Sequence, residues 1–251
     1  MKKKPPQEKP GGTSLSRRAV LGVLGAAAAA PFVGRLPGQP AMGHTPRTAM
    51  PACVVRPQQT EGPYFVEAKL NRSDIRSNPS DGSVREGVPL HLVFQVSRIG
   101  DSACAPLAGA VVDVWQCDAL GIYSGVKDMN DFFDTREQQF LRGHQVTDEY
   151  GTARFTTIYP GWYRGRAVHI HFKIRTDPAS QQGYEFTSQL YFDDALTDQM
   201  LDHPAYAPNK QPRIKNERDG IFRNGGDQLM LALTRDEEGF TGTFDIGLQL
   251  S

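Results

Sequence analysis

The 251-residue chain contains few cysteines: only Cys53, Cys104 and Cys117. No two of them stand at the C-x-x-C spacing of thiolate zinc sites, so a zinc site built on cysteine is not expected. The odd count leaves room for one disulfide and one free thiol. The spacing does not assign the pairing, and we expect all three residues to be structural.

The chain also lacks an excess of charge of either sign, because its 28 Lys and Arg residues balance its 28 Asp and Glu residues. There is therefore no electrostatic reason to expect a nucleic acid or an anionic membrane as partner. A Gly-rich nucleotide fingerprint is absent as well, and with it the usual sign of a nicotinamide cofactor. With 39% hydrophobic and 22% charged residues, the composition is typical of a soluble globular protein.

The apolar stretch near the N-terminus is too short for a comfortable membrane span. It runs from about Ala19 to Val33, is rich in Ala and Gly, and falls short of the about 20 strongly apolar residues that a span needs. A basic segment with adjacent Arg17 and Arg18 precedes it, as in twin-arginine export signals. We predict that residues 1–45 form such a signal and a flexible segment, and that the mature protein is periplasmic or secreted. An uncleaved anchor is the alternative, and the cleavage site is left open.

Residues 46–251 contain no internal repeat, low-complexity segment or linker, so we predict one domain over this range. Six runs are rich in Val, Ile, Thr, Phe and Tyr and are bounded by turn residues, as β-strands are. These runs are Leu90–Ile99, Ala110–Asp118, Gly151–Tyr159, Val168–Arg175, Phe186–Phe192 and Gly242–Leu250. Short strands without helical periodicity between them indicate an all-β fold, either an antiparallel sandwich or a barrel. Only Asp194–His203 has the pattern of a short helix, and it lies in a connection.

Two histidines stand one residue apart in the predicted strand Val168–Arg175. Residues two apart in a strand share a face, so His169 and His171 project side by side, while Ile170 and Phe172 belong to an apolar face. This alternation is typical of a half-buried strand. Two neighbouring imidazoles suit zinc, copper, iron or nickel. A hydrogen-bonded polar patch is the alternative for the pair taken alone.

Tyr163 stands upstream of the histidines, in a loop that Pro160, Gly161 and Gly165 turn tightly. Loops positioned by a rigid sheet are where catalytic groups usually lie. A tyrosine binds metal as phenolate, and its ordinary pKa near 10 means that a strongly Lewis-acidic ion such as Fe(III) is needed. A set of His and Tyr without a carboxylate partner favours Fe(III) over the ferrous oxygenases that use two His and one carboxylate.

Four segments together resemble one enzyme family: "TEGPYF", "VDVWQCDALGIYSG", "TIYPGWYRGRAVHIHFKI" and "TSQLYF". In order and spacing they are similar to those of the intradiol ring-cleavage dioxygenases, the protocatechuate 3,4-dioxygenase and catechol 1,2-dioxygenase superfamily, and within it to the short exported branch. The resemblance runs from about Pro51 to Asp194. It implies an antiparallel β-sandwich that cleaves a catechol-type ring with a non-haem Fe(III) ion. Both atoms of dioxygen would enter the product, a cis,cis-muconate-type diacid.

Carried over position by position, the resemblance implies that Tyr123, Tyr163, His169 and His171 hold the iron. Taken alone, Tyr123 would be interpreted as a half-buried aromatic after the turn at Gly121. The family pattern makes it a ligand instead. Tyr163 would be the ligand that can leave the metal during the reaction.

The resemblance also implies catalytic and substrate-binding residues. Arg166 would stabilise negative charge on the ring, since a guanidinium stays charged beside a developing anion. Gln189 would lie near that arginine and the substrate, although a structural hydrogen bond explains it nearly as well. Tyr64 would line the substrate mouth.

Two rival interpretations come from other classes of protein. One is a secreted β-sandwich binding module without catalysis, and the other is a hydrolase that binds zinc through His169 and His171. The module gives no reason for Tyr123, Tyr163 and Arg166 to converge, and the hydrolase lacks a Glu in the strand as base. The expected partners are an aromatic diol and dioxygen, and the resemblance permits a homo-oligomer. The particular catechol is not determined.

Overall fold

The computed structural model describes residues 54–101, 103–177 and 183–250, and the predicted export signal lies outside them. This part of the chain is mostly β-sheet. Its strands are β1 Pro89–Ile99, β2 Cys104–Pro106, β3 Val111–Trp115, β4 Arg142–Val146, β5 Thr152–Ile158, β6 His169–Arg175, β7 Glu185–Tyr191, β8 Leu233–Arg235 and β9 Phe240–Leu248. Its helices are α1 Asp194–Met200 and two short 3-10 turns, Asn216–Arg218 and Gly226–Leu229.

The strands form two sheets. In the first sheet the order is β2-β1-β9-β8, with β5 also paired to β1, and in the second it is β4-β3-β6-β7. Every pair is antiparallel except β1 and β9, which run parallel from Leu90 opposite Phe240 to Arg98 opposite Leu248. The first sheet is therefore mixed. A parallel pair requires a long crossover, and here the connection between the two partners includes seven other strands.

The core lies between the two sheets. Strand β1 alternates buried and half-buried residues along most of its length, as expected for a strand with one face on the core. Across the interface, the ring of Phe94 on β1 lies 5.2 Å from that of Phe172 on β6, and Phe172 lies 5.5 Å from Phe244 on β9. The predicted all-β sandwich is confirmed by the two sheets and by these contacts between them.

Strand β6 is buried on both faces, whereas its alternating pattern predicted a half-buried strand. His169 and His171 are only 2% and 1% exposed. The segment before β1 covers the polar face, because Gln59 N donates to Thr187 O at 3.0 Å and the Gln189 amide donates to Thr60 O at 2.9 Å. Alternation marks which residues share a face, and it does not show that a loop from elsewhere in the chain covers that face.

Of the three cysteines, Cys117 is a buried free thiol, Cys104 is disulfide-bonded, and Cys53 lies outside the described residues. One free thiol agrees with the odd count. Over the part of the chain that the structure describes, no helix has the length and apolar character needed to cross a membrane.

We expect Phe172→Ala to lower the free energy of unfolding by about 3–5 kcal/mol, because it empties the space that this ring fills between the sheets. Urea denaturation measures this value. Val146→Ala, on the exposed side of edge strand β4, is the control and should change stability by no more than about 0.5 kcal/mol. A loss for Phe172→Ala as small as that of the control would contradict tight packing across this ring.

Candidate metal centre

Strand β6 brings two imidazoles together on its covered face. The Nε2 atoms of His169 and His171 lie 3.1 Å apart. His169 Nδ1–H donates to the carbonyl oxygen of Ala167 at 2.6 Å, which leaves the lone pair of its Nε2 directed inward. The indole of Trp115 stacks on the His171 ring, with centroids 5.0 Å apart and planes at 7°. Both rings are therefore held in position before any ligand binds.

Two phenol oxygens converge on the same point. The hydroxyl of Tyr163 lies 3.2 Å from His169 Nε2, and that of Tyr123 lies 3.4 Å from it. Tyr123 follows β3 after a left-handed turn at Gly121, and Tyr163 lies in the loop between β5 and β6. The structure thus brings together all four side chains that the sequence predicted as metal ligands.

The loops that carry the two tyrosines pack against each other. Asp118 accepts hydrogen bonds from Leu120 N and Ile122 N, both at 3.0 Å, which closes the turn before Tyr123. Gly161 N, in the Tyr163 loop, donates to the Asp118 carbonyl oxygen at 3.2 Å. The positions of the two phenols are therefore coupled through backbone contacts.

The spacing of the donor atoms fits a metal ion. Ligand atoms about 2.1 Å from a common metal, at angles between 90° and tetrahedral, lie roughly 3.0–3.4 Å from one another, which matches the distances from His169 Nε2. Among the described residues, no three His, Cys, Asp or Glu side chains converge to hold a metal. A metal at this point would therefore take tyrosine oxygens in addition to the two imidazoles.

Burial keeps all four groups neutral as long as no cation is bound. Burial and the charge of Arg166 hold the pKa of His169 well below its ordinary value, and burial does the same for His171. Burial raises the pKa of Tyr163 to about 12 and that of Tyr123 well above its usual range. The phenols would ionise only beside a strongly polarising cation, so the donor set fits a hard ion such as Fe(III).

Arg166 lies beside the four donors and is held in place by a buried carboxylate. Its Nε donates to Asp219 Oδ2 at 2.9 Å, and its Nη1 lies 3.3 Å from His169 Nε2 and 3.5 Å from the Tyr163 hydroxyl. Burial opposes the charge, but Tyr163 and Asp219 outweigh it and raise the pKa of Arg166. The site therefore contains one fixed positive charge next to the metal position.

Gln189 forms a direct hydrogen bond with this arginine. Its Oε1 accepts from Arg166 at 2.5 Å and from the Tyr191 hydroxyl at 3.1 Å, and its amide nitrogen donates to Thr60 O. The proximity to Arg166 agrees with the resemblance. All three hydrogen bonds join the Gln189 side chain to other residues of the protein. Gln189 is not among the residues that line the adjacent cavity.

Sequence reasoning missed Asp219. Besides Arg166, this carboxylate accepts from Ala167 N at 2.9 Å and from Ile221 N at 2.8 Å, so it ties the end of the first 3-10 turn to the loop before β6. Arg166 and Asp219 are 53 residues apart. No local motif connects them, and only the folded chain reveals the pair.

A cavity of about 420 Å³ opens next to the four donors. Tyr163, Arg166 and Tyr64 line it, and the role of Tyr64 at a substrate mouth stays a prediction. The Tyr64 hydroxyl donates to Asp128 Oδ1 at 2.6 Å, and its ring stacks on Tyr123 with centroids 4.6 Å apart. Burial and the Asp128 carboxylate raise the pKa of Tyr64. The cavity connects solvent to the phenol of Tyr163 and the guanidinium of Arg166.

Comparison with known proteins identifies the family. A family model described as Dioxygenase matches residues 60–221. Chlorocatechol 1,2-dioxygenase of Pseudomonas putida is 31% identical over 59% of this chain and 55% of its own length. The protocatechuate 3,4-dioxygenase beta chain of Burkholderia cepacia is 30% identical over 66% of this chain and 68% of its own length. An intradiol ring-cleavage dioxygenase from Tetranychus urticae has a solved structure with 32% identity and a TM-score of 0.64, covering 79% of this chain and 95% of that one.

The chain belongs to the intradiol ring-cleavage dioxygenase family. The matched range, residues 60–221, contains every site residue described above, from Tyr64 to Asp219. The chain spans about half of the chlorocatechol dioxygenase that it matches, 55% of that length.

We expect Gly161→Ala to destabilise the protein more than Gly165→Ala, although both glycines lie in the Tyr163 loop. A Cβ at Gly161 would lie 2.5 Å from the Ala119 carbonyl oxygen and would also contact that of Asp118, whereas a Cβ at Gly165 meets nothing within 4 Å. Overpacking against backbone costs about 1–3 kcal/mol, and the left-handed φ of Gly165 costs about 1 kcal/mol for alanine. Urea denaturation of the two variants measures the difference. Equal losses would contradict the close contact between the two loops.

Proposed function

We propose that the protein is a non-haem Fe(III)-dependent dioxygenase that opens a catechol-type ring between its two hydroxyl-bearing carbons. Both atoms of dioxygen enter the product, a cis,cis-muconate-type diacid. One observation carries the proposal: two imidazole nitrogens and two phenol oxygens converge, with Arg166 beside them, at the inner end of a cavity. Membership in the family supports it.

Tyr123, Tyr163, His169 and His171 would hold the ion. When bound, ferric iron would act as a Lewis acid that makes both hydroxyls of a catechol ionise near neutral pH. The neutral imidazoles need no deprotonation to bind it, because burial already keeps them uncharged.

The two tyrosines are suited to different tasks. Tyr123 is fully buried and stacks on Tyr64, so it has no free space into which to move. Tyr163 lines the cavity and is carried by a loop with a left-handed glycine two residues further on. Tyr163 is therefore the group that can turn toward a bound diol and accept a hydroxyl proton at its Oη.

Arg166 supplies positive charge where the ring becomes electron-rich. It lines the cavity, and its orientation is fixed from behind by Asp219 and Gln189. A preorganised cation in a site screened from water stabilises developing negative charge more than a solvated one does. Asp219 and Gln189 act as positioning residues for this arginine.

The relatives named above are all dioxygenases, and nothing supports the alternative of a binding module without catalysis. A zinc hydrolase would give the phenols of Tyr123 and Tyr163 no role in binding or catalysis. Export of the protein by a twin-arginine signal remains a prediction, since the segment that carries it lies outside the described residues.

We expect the protein reconstituted with ferric iron to be red-brown, because tyrosinate bound to Fe(III) absorbs visible light, and to change colour when catechol is added. Tyr123→Phe and His169→Ala should each lose iron and colour. Visible absorption and iron content per chain measure this result. Tyr159→Phe is the matched control, because Tyr159 is equally buried but bonds to Thr197 in the core. A protein that stayed colourless after ferric reconstitution would contradict the proposed function.

We expect Arg166→Ala to keep the iron and its colour but to lose about 100- to 1000-fold in kcat for catechol, the usual effect of removing one preorganised charge-stabilising group. Oxygen uptake measures the rate. Asp219→Asn should also keep the iron and show a smaller loss, because the guanidinium remains but its orientation is no longer fixed. Full activity of Arg166→Ala would refute the role given to this residue.

A further inference from the structure

The cavity next to the metal position is larger than a single-ring diol requires. Its volume of about 420 Å³ lies within the range of roughly 300–1,000 Å³ for pockets that enclose drug-sized ligands. Tyr163 and Arg166 are only part of its lining, which continues outward to Met129 and Phe132. A catechol bound at the inner end would leave the outer part of the cavity unfilled.

A second cavity of about 310 Å³ adjoins the outer part of the first. The two share four lining residues: Phe132, Phe133, Arg164 and Gln211. Beyond these, the second cavity is lined by Leu120, Ile122 and Pro212. Its walls are therefore mostly apolar, and Arg164 is the only charged residue among those that line it.

The rim of the first cavity exposes apolar surface. Phe132 is 76% and Met129 is 74% exposed, and exposed apolar side chains grouped beside a cavity are typical of ligand-binding surfaces. The rim is ordered by Asp128, which accepts from Asn130 N at 2.8 Å and also from the hydroxyl of Tyr64. Tyr64 stacks on Tyr123, so the rim is tied to the metal position itself.

Arg164 places a guanidinium at this rim that is available to a ligand. In the described part of the chain its side chain has no hydrogen-bond or ion-pair partner, and only its backbone N donates, to Gln211 Oε1 at 3.3 Å. A guanidinium binds an aromatic face favourably, and the ring of Phe132 offers an aromatic surface on the same rim. These groups together are suited to a flat, uncharged ring.

We propose that the substrate is a catechol that carries a second aromatic ring, and that this second ring binds in the cavity lined by Leu120, Phe132 and Arg164. The inference rests on the proposed function, because the first ring is placed by Tyr163 and Arg166. The substituent then leaves the inner site past the four residues that line both cavities, Phe133 among them. Single-ring catechols would be cleaved but bound more weakly.

The test compares dissociation constants of the ferric protein, measured without oxygen by the colour change, for catechol, 4-methylcatechol, protocatechuate and 4-phenylcatechol. We expect 4-phenylcatechol to bind about tenfold more tightly than catechol, from the apolar area buried by the second ring. Leu120→Ala should lower this preference about three- to fivefold by removing apolar contact, and Leu120→Trp should lower it by filling the cavity. Val146→Ala, at an exposed position on β4, is the control and should leave the preference unchanged.

Two kinds of failure are distinguishable. If none of the four diols changes the colour or is cleaved, the proposed function fails. If catechol is bound and cleaved, but 4-phenylcatechol binds no more tightly than 4-methylcatechol or protocatechuate, the two-ring inference alone is overturned. A preference for 4-phenylcatechol that neither Leu120 variant alters would also overturn it, because the second ring would then bind elsewhere.

Discussion

The hydrogen bond from His169 Nδ1 to the Ala167 carbonyl oxygen is the interaction on which the site depends. It determines which imidazole nitrogen keeps its lone pair, and the other nitrogen is the point near which both phenols and His171 lie. Because the acceptor is a backbone atom just before β6, the orientation of the ring is set by the strand itself. A strand that is paired on both sides, to β3 and β7, therefore carries the most demanding geometry of the site.

The site also places a positive charge beside the metal position. The protein stabilises this charge with an opposite charge and a hydrogen bond. Arg166 is largely buried, and a buried cation without a partner is costly. Asp219 supplies the opposite charge at 2.9 Å, and Gln189 accepts from another nitrogen of the same guanidinium. The charge is thus held near the reacting ring without a carboxylate among the four donors, where it would compete for the metal.

Much of the fold could be predicted from local patterns. All six predicted strands form, and the predicted helix begins at Asp194 and ends at Met200, three residues short of the prediction. The strands that were missed, β2, β4 and β8, are short, and β4 has the sequence RGHQV with no apolar alternation. The parallel pairing of β1 with β9 was also beyond prediction, because pairing between the first and last strands depends on how the whole chain folds and not on either segment alone.

For the site, the sequence by itself determined the chemical character of the donors and the pairing of His169 with His171, because two-residue spacing on a strand is a local property. Similarity of its motifs to one family supplied Tyr123, Tyr163 and Arg166. Only the tertiary structure decided that these groups lie 3.1–3.4 Å from His169 Nε2, that Asp219 holds the arginine, and that a second cavity adjoins the first. Such contacts join segments tens of residues apart, and their distances are set by packing of the complete fold.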